Sequence, residues 1–350
     1  MKGLVDTLRK NRHLPEKDYI SLVRSFDEQS LEYIMTQAAE VSAENFRKKI
    51  YIRGLVEFSN FCRHGCIYCG LRKQNHNVRR YRMTPEEIYK ACGRAHEAGF
   101  RTFVLQSGED PAYTDDITET IVRTLHSMFP DTAITLSTGE RSEKAYMRFR
   151  EAGADRYLLR FETSDRVHYG KLHTSGEDFD KRMECLEALH RCGYQTGTGM
   201  MTGSPYQSPE NIVKDILFIE KFRPEMIGIG PFIPHKDSPF SEFPHGSAEM
   251  TLLLISIFRL MFPEALIPST TALNTLSPEN RLKGILAGAN VLMPDITPET
   301  YRKDYEIYDG KACTGAEAAE GIADLEKELG TIGYSIDCGR GDYPERKPNP

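Results

Sequence analysis

At 350 residues the chain is long enough for two domains or for one large closed α/β unit, and 39% hydrophobic against 27% charged residues is the ordinary balance of a globular core. A formal charge of -6 excludes a general nucleic-acid binder, which needs a basic face against phosphate. The longest apolar run, Leu252 to Phe262, is broken by Ser256 and Arg259 and falls short of the roughly 20 residues of a membrane span, so no bilayer crossing is expected.

The first residues, Met1 to His13, mix lysine and arginine with isolated apolar positions and lack the apolar middle of a signal peptide, which sets the cytoplasm as the expected location. Residues 1–48 read as an N-terminal helical cap, with a Pro15-Glu16 start and an amphipathic run from Leu31 to Ile50. From residue 49 to 296 short β-branched or apolar runs alternate with longer amphipathic segments, the grammar of repeated βα units. The strand candidates are Ile52–Phe58, Thr102–Gln106, Ala133–Ser137, Arg156–Arg160, Gln195–Met201, Met226–Ile229, Leu266–Thr270 and Asn290–Met293. Helices are expected near 84–98, 115–128, 142–152, 177–192, 208–222, 247–261 and 277–287. Thr84-Pro85-Glu86-Glu87 and Ser208-Pro209-Glu210 each set a hydroxyl at the N-cap, proline behind it and acid in the first turn. Glycine follows the helices at Gly99, Gly153, Gly193 and Gly288, where each must stop. Eight such units predict an α/β fold of the (β/α)8 TIM-barrel type. Residues 297–350 read as a short C-terminal extension, with a helix over Gly315 to Gly330 and a poorly ordered charged tail from Cys338.

Eight cysteines are too sparse for a disulfide scaffold, yet Cys62, Cys66 and Cys69 crowd into the loop after the first strand. Barrel active sites assemble in such loops. Three thiolates can hold three irons of a cubane and leave the fourth iron open to a ligand. Zinc is the competing reading, with His64 as a fourth ligand, but closed zinc sites favour x2 or x4 spacings in facing pairs.

The x3, x2 spacing with Tyr68 before the last cysteine resembles the signature of the radical S-adenosylmethionine superfamily. A closer resemblance, from about residue 50 to 310, is to the HydE family of FeFe-hydrogenase maturases. It rests on Glu57-Phe-Ser-Asn60, Arg80-Tyr-Arg-Met-Thr-Pro-Glu-Glu87, Leu105-Gln-Ser-Gly-Glu-Asp-Pro111, Gly153-Ala-Asp-Arg-Tyr-Leu-Leu-Arg160, Gly228-Ile-Gly-Pro-Phe-Ile-Pro-His235 and Ala287-Gly-Ala-Asn-Val-Leu-Met-Pro294. The resemblance implies a 4Fe-4S cluster on Cys62, Cys66 and Cys69, and S-adenosylmethionine held by Tyr68, Gly108, Glu109, Ser137, Glu162, Arg182 and Tyr305. It further implies substrate contacts at Gln106, Thr138, Thr270 and Thr271. The implied reaction is reductive cleavage to a 5'-deoxyadenosyl radical that acts on an iron carbonyl cyanide unit carrying cysteine. Sister maturases, and an electron donor such as ferredoxin or flavodoxin, are the implied partners.

Two departures from the family pattern stand out. Cys313 has no partner cysteines nearby, which predicts a single cluster, and Ser204 and Tyr206 replace an expected hydrophobic residue and glycine. Two further enzyme readings share the signature. Methylornithine synthase should offer an acid near the seventh strand, where Pro268-Ser-Thr-Thr-Ala-Leu-Asn274 has none, and biotin synthase needs further inner-strand cysteines. A non-catalytic iron-sulfur carrier is the reading from another class, and it would need no methionine-binding acids.

Overall fold

The computed structural model describes residues 1–174, 176–311 and 318–344, with side chains from 321 in the last segment. Strands run in chain order as β1 Lys49–Ile52, β2 Gly54–Ser59, β3 Thr102–Ser107, β4 Ala133–Ser137, β5 Arg156–Leu158, β6 Gln195–Thr202, β7 Met226–Pro231, β8 Val291–Leu292 and β9 Ser335–Asp337. Strands β2 to β7 form one parallel sheet in sequential order. Every residue of β2 is buried, as expected of a parallel strand covered on both faces.

Intervening helices start where the caps place them. Thr84 and Glu87 form a reciprocal capping box ahead of Pro85–Glu97, and Ser208 and Asn211 do the same ahead of Pro209–Phe222. At Gly153 φ is 114°, a conformation open to glycine and strained for other residues, so the chain can turn from helix Glu143–Glu151 into β5. Helix Ala248–Met261 is buried nearly all round because the N-terminal helix Glu28–Phe46 covers its outer side. Its buried Arg259 is satisfied by the carbonyls of Gly288 and Pro263 and by Asn290 Oδ1.

The expected strands Leu266–Thr270 and Asn290–Met293 are shorter than their hydrophobic runs. The first is reduced to the bridges Met226–Leu266 and Pro268–Val291, because Pro268 has no N–H to give a ladder. Thr270 instead caps the unforeseen helix Thr271–Leu276, and Arg166–Leu172 is a second helix that periodicity did not reveal. The first strand is divided at Arg53, and β1 pairs with β8 and β9 in a separate three-stranded sheet.

The tail also differs from expectation. Residues 338–344 pack against the strand N-termini, where buried Arg156 donates to Arg340 O and Asp342 Oδ1, and Tyr343 N reaches Gln195 Oε1. A charged, breaker-rich segment looks unanchored in sequence because its partner is a guanidinium some 180 residues away. Cys313 lies outside the described residues. Among the described residues no helix is long and apolar enough to cross a membrane.

One buried carboxyl sets a pH dependence for the fold. Asp215 accepts from Ser164 N at 2.5 Å and Ser164 Oγ at 2.7 Å, while its Oδ2 has no partner. Burial raises its pKa from 3.8 to about 7, against the lowering by these hydrogen bonds. A raised folded pKa favours the native state while the acid is protonated, and this stability is lost as pH rises toward 7. The melting temperature of the cluster-free protein should therefore carry a decline from about pH 4 to about pH 7 that Asp215→Asn removes. An unaltered slope in the variant would remove Asp215 as its cause.

Candidate active site

The loop after β2 is built around internal hydrogen bonds. Arg80 donates to the carbonyls of Asn60, Leu71, Arg72 and Asn75, so one guanidinium gathers the carbonyls of the cysteine loop. Asn60 ties the same loop to Arg79 O and Asp304 O at 2.8 and 2.7 Å. The loop after β3 lies directly against it. A side chain at Gly108 would collide with Phe61 O and Cys62 Cβ, and Arg63 N donates to Glu109 O at 3.0 Å. Gly108 is thus a close-approach position, with a stronger demand than an ordinary turn makes.

Cys62, Cys66 and Cys69 line a cavity of about 280 Å³ together with Tyr68, Gln106, Gly108, Glu109, Ser137, Arg160, Glu162, Arg182 and Tyr305. Burial pushes all three thiols up, Cys69 to about 12, so the metal-free side chains hold their protons. Metal binding must release those protons. A single zinc with Zn–S near 2.3 Å would bring its sulfurs within about 4 Å of one another. Among the described residues, the trio of metal-ligand type that lies within 4.8 Å is His64, Glu109 and Glu140, and not the cysteines. The three sulfurs thus do not all lie within 4.8 Å of one another, looser than one zinc would hold them and compatible with a cubane.

His64 is also committed elsewhere. Its Nε2 lies 2.7 Å from Glu109 Oε2 and its Nδ1 3.4 Å from Glu177 Oε1. Burial works against the Glu109 carboxylate, but the His64 hydrogen bond and charge, with Glu140 N–H and Arg63, hold it below the usual carboxylate range. Glu109 is consequently engaged by the protein on both oxygens, Oε1 by Glu140 N at 2.7 Å. Gly108 is likewise engaged on both backbone groups, its N–H by Ser59 O and its carbonyl by Asp110 N and Ser107 Oγ.

Glu162 presents the opposite case. It sits just past β5 with φ 64°, a left-handed backbone uncommon for a non-glycine residue, and its Oε2 is buried without a hydrogen bond. Arg160 Nη2 stands 3.2 Å from that oxygen, and Arg160 Nε is likewise buried and unpartnered. Arg182, from helix Phe179–Arg191, donates through Nε to Glu140 Oε1 at 2.7 Å and through Nη1 to Arg160 O at 2.6 Å. A cationic fork and an acceptor short of a donor thus face one cavity. That donor set fits an amino-acid headgroup and ribose hydroxyls beside a three-cysteine cluster.

The remaining candidates divide. Ser137, Gln106 and Tyr305 line the cavity, whereas Thr138 is buried behind it with Oγ1 2.9 Å from Tyr157 OH. Thr270 and Thr271 line a separate cavity of about 40 Å³ with Ser269, Asn274 and Arg281, while Ala272 between that segment and the larger cavity reaches the latter. Ser204 lies 3.2 Å from His168 Nε2 and Tyr206 is exposed with φ 66°, so neither borders the main cavity. Glu140 and the clasp Arg80 carry no local signal of their role, since both act by long-range contacts. Cys92 and Cys185 are buried in helices and Cys338 is exposed, away from the trio.

A profile of the Radical SAM superfamily matches residues 56–219. The chain is 44% identical over 282 residues to the [FeFe] hydrogenase maturase subunit HydE of Thermotoga maritima, covering 81% of this chain and 80% of that protein. It is 28% identical to 3-methylornithine synthase of Methanosarcina barkeri over 88% of this chain and 87% of the relative. The crystal structure of methylornithine synthase (PylB) superposes with a TM-score of 0.82 at 26% identity, over 95% and 97% of the two chains. With the cysteine trio, the aromatic neighbour and the headgroup donors on one cavity, and with this identity over four-fifths of its length, the chain belongs to the radical S-adenosylmethionine superfamily and, within it, to the HydE family, whose cofactors are a 4Fe-4S cluster and S-adenosylmethionine.

Proposed function

We propose that this protein acts in assembly of the FeFe-hydrogenase diiron subcluster as a radical S-adenosylmethionine enzyme. The observation that carries the reading is the meeting of Cys62, Cys66 and Cys69 with Glu162 and Arg182 on a single cavity. In this reading the trio holds the cluster, Arg182 clamps the methionine carboxylate, the loop of Gly108 and Glu109 takes the ammonium, and Glu162 accepts from the ribose. Tyr68 lies against the adenine. When bound, the cluster and its ligand supply one-electron reductive cleavage to methionine and a 5'-deoxyadenosyl radical.

The protein's own contribution is orientation and exclusion of water. Leu158, Met201, Phe232 and Ile307 provide the apolar wall, and Tyr305 and Tyr308 join them in lining the cavity. The unpartnered Arg160 Nε suits an anionic substrate, which favours an iron carbonyl cyanide unit carrying cysteine. Thr270 and Thr271, beyond the cavity wall, are proposed to reach that substrate from the seventh-strand side, and Thr138 to support Ser137. The bridges Met226–Leu266, Pro268–Val291 and Leu55–Asp295 support reading the two short segments as strands that close a (β/α)8 barrel around this site. From Phe61 to Thr84 the chain carries Arg63, Arg72, Lys73, Arg79, Arg80 and Arg82 and no acid. Such a basic loop in an acidic protein suits an acidic carrier such as ferredoxin or flavodoxin, and a sister maturase is proposed to deliver the substrate.

The test is anaerobic turnover by the reconstituted, dithionite-reduced protein. Release of 5'-deoxyadenosine and methionine in equal amounts is expected. A fully loaded cluster that yields none with any candidate substrate would leave the non-catalytic carrier as the better reading.

A further inference from the structure

Inside the parallel sheet, next to the cavity but not lining it, lies an ion pair that the proposed chemistry does not use. Glu57 on β2 is fully buried, and Lys311 reaches it with both carboxylate oxygens in contact with Nζ. The lysine side chain is only 6% exposed although it comes from the far end of the segment 297–311. Its Nζ also stands 4.9 Å from the centroid of the Tyr305 ring. Gln106 Nε2 lies 3.5 Å from Glu57 Oε1, and Tyr305 and Gln106 line the same cavity. Two residues of the strap, Tyr305 and Lys311, are therefore linked through Lys311 to two residues of the sheet, Glu57 and Gln106. Tyr305 and Gln106 face the cavity, while Glu57 and Lys311 stand behind them.

Elsewhere the strap is held by bonds of both kinds, among them Tyr301 OH to Glu87 Oε1 and Asn60 Nδ2 to Asp304 O, each at 2.7 Å. Glu57 N donates to Thr297 Oγ1 at 2.8 Å, Gly70 N to Ile307 O at 2.8 Å, and Asp309 N to Pro234 O at 3.1 Å. These fix the strap's path but not the direction of the Tyr305 ring. A buried ion pair is weak evidence of stabilisation, since desolvating both charges offsets most of their attraction. What such a pair does supply is a defined geometry for the groups hydrogen-bonded to it.

We propose that Glu57 and Lys311 are positioning residues that hold the segment 301–308 closed and set Tyr305 and Gln106 against bound S-adenosylmethionine. The cofactor part of this statement rests on the function proposed above; the closure of the strap does not. Lys311→Met should raise the dissociation constant for S-adenosylmethionine in the cluster-loaded protein roughly tenfold, as displacement of a ligand-facing side chain does. It should also speed amide hydrogen exchange over 301–308 in both cluster-free and cluster-loaded protein. Lys311→Arg should restore most of both. Glu57→Gln should raise the dissociation constant as well, and the double variant should be no worse than Lys311→Met alone, because both break one unit.

Exchange over 301–308 that matches wild type in Lys311→Met and in Glu57→Gln would overturn the proposal, and so would a lowered melting temperature with unaltered affinity and exchange. If Lys311→Met does not fold, Glu57→Gln decides by the same two measurements. A wild-type protein that binds no S-adenosylmethionine would refute the proposed function, while the exchange measurement would still report on the strap.

Discussion

Cys66→Ala is expected to abolish the EPR signal of the reduced cluster and to bring 5'-deoxyadenosine formation to background. Loss of a ligand should exceed the roughly 100-fold that loss of an outer hydrogen-bond partner of a ligand brings. Three cysteines line the cavity and the other described ones do not: Cys92 and Cys185 are buried in helices, Cys192 caps the end of Phe179–Arg191, and Cys338 is exposed on the tail. Alanine at any of these should leave the signal intact. The same is expected of Cys313, and a changed signal there would contradict the single-cluster reading. A cluster signal of wild-type size in Cys66→Ala would remove the basis of the proposed chemistry.

Arg182→Met should have the next largest effect, on stability and on binding together. Arg182 and Glu140 are both buried, with side chains 9% and 3% exposed, and the arginine gives the carboxylate its 2.7 Å hydrogen bond. Removing one member of such a pair costs about 3 to 5 kcal/mol, and Lys181 Nζ, 3.8 Å from Glu140 Oε2, holds the effect to the lower end. Chemical denaturation of the cluster-free protein should show that loss. Adding Glu140→Leu should recover much of the stability, because no stranded carboxylate remains, yet it should not recover affinity for S-adenosylmethionine. Recovery of affinity in the double variant would mean that the guanidinium serves packing alone.

What the sequence made legible follows from how local each signal is. The cysteine trio sits on consecutive turns of one loop, and the caps at Thr84 and Ser208 act on their own helices, so spacing alone exposes them. The strand β2 shows as an apolar run because both of its faces are covered. Strands near Pro268 and Pro294 are overstated for a related reason, since hydrophobicity reports burial and not hydrogen bonding. The left-handed backbone at Glu162 has no sequence mark at all; only the parallel bridge to Met200 and the turn beyond it require that conformation. The motif marks Glu109, which lines the cavity, but its pairing with His64 is fixed only in three dimensions. Glu140, Arg80 and Lys311 illustrate the same limit, for each is an ordinary surface-type residue until its distant partners are known.

The anchoring of residues 340–343 beneath Arg156 bears on how the chain may be shortened or tagged. Removing everything after β9 would leave all the proposed cofactor contacts in place, yet deprive a guanidinium with no solvent exposure of its one carboxylate partner. Arg53 lies close enough to repel that guanidinium, and of the acids that favour its charge Asp155 would then remain. Activity lost on trimming that end would be a failure of charge balance far from the chemistry, and a fusion partner is better joined beyond Tyr343 than in its place.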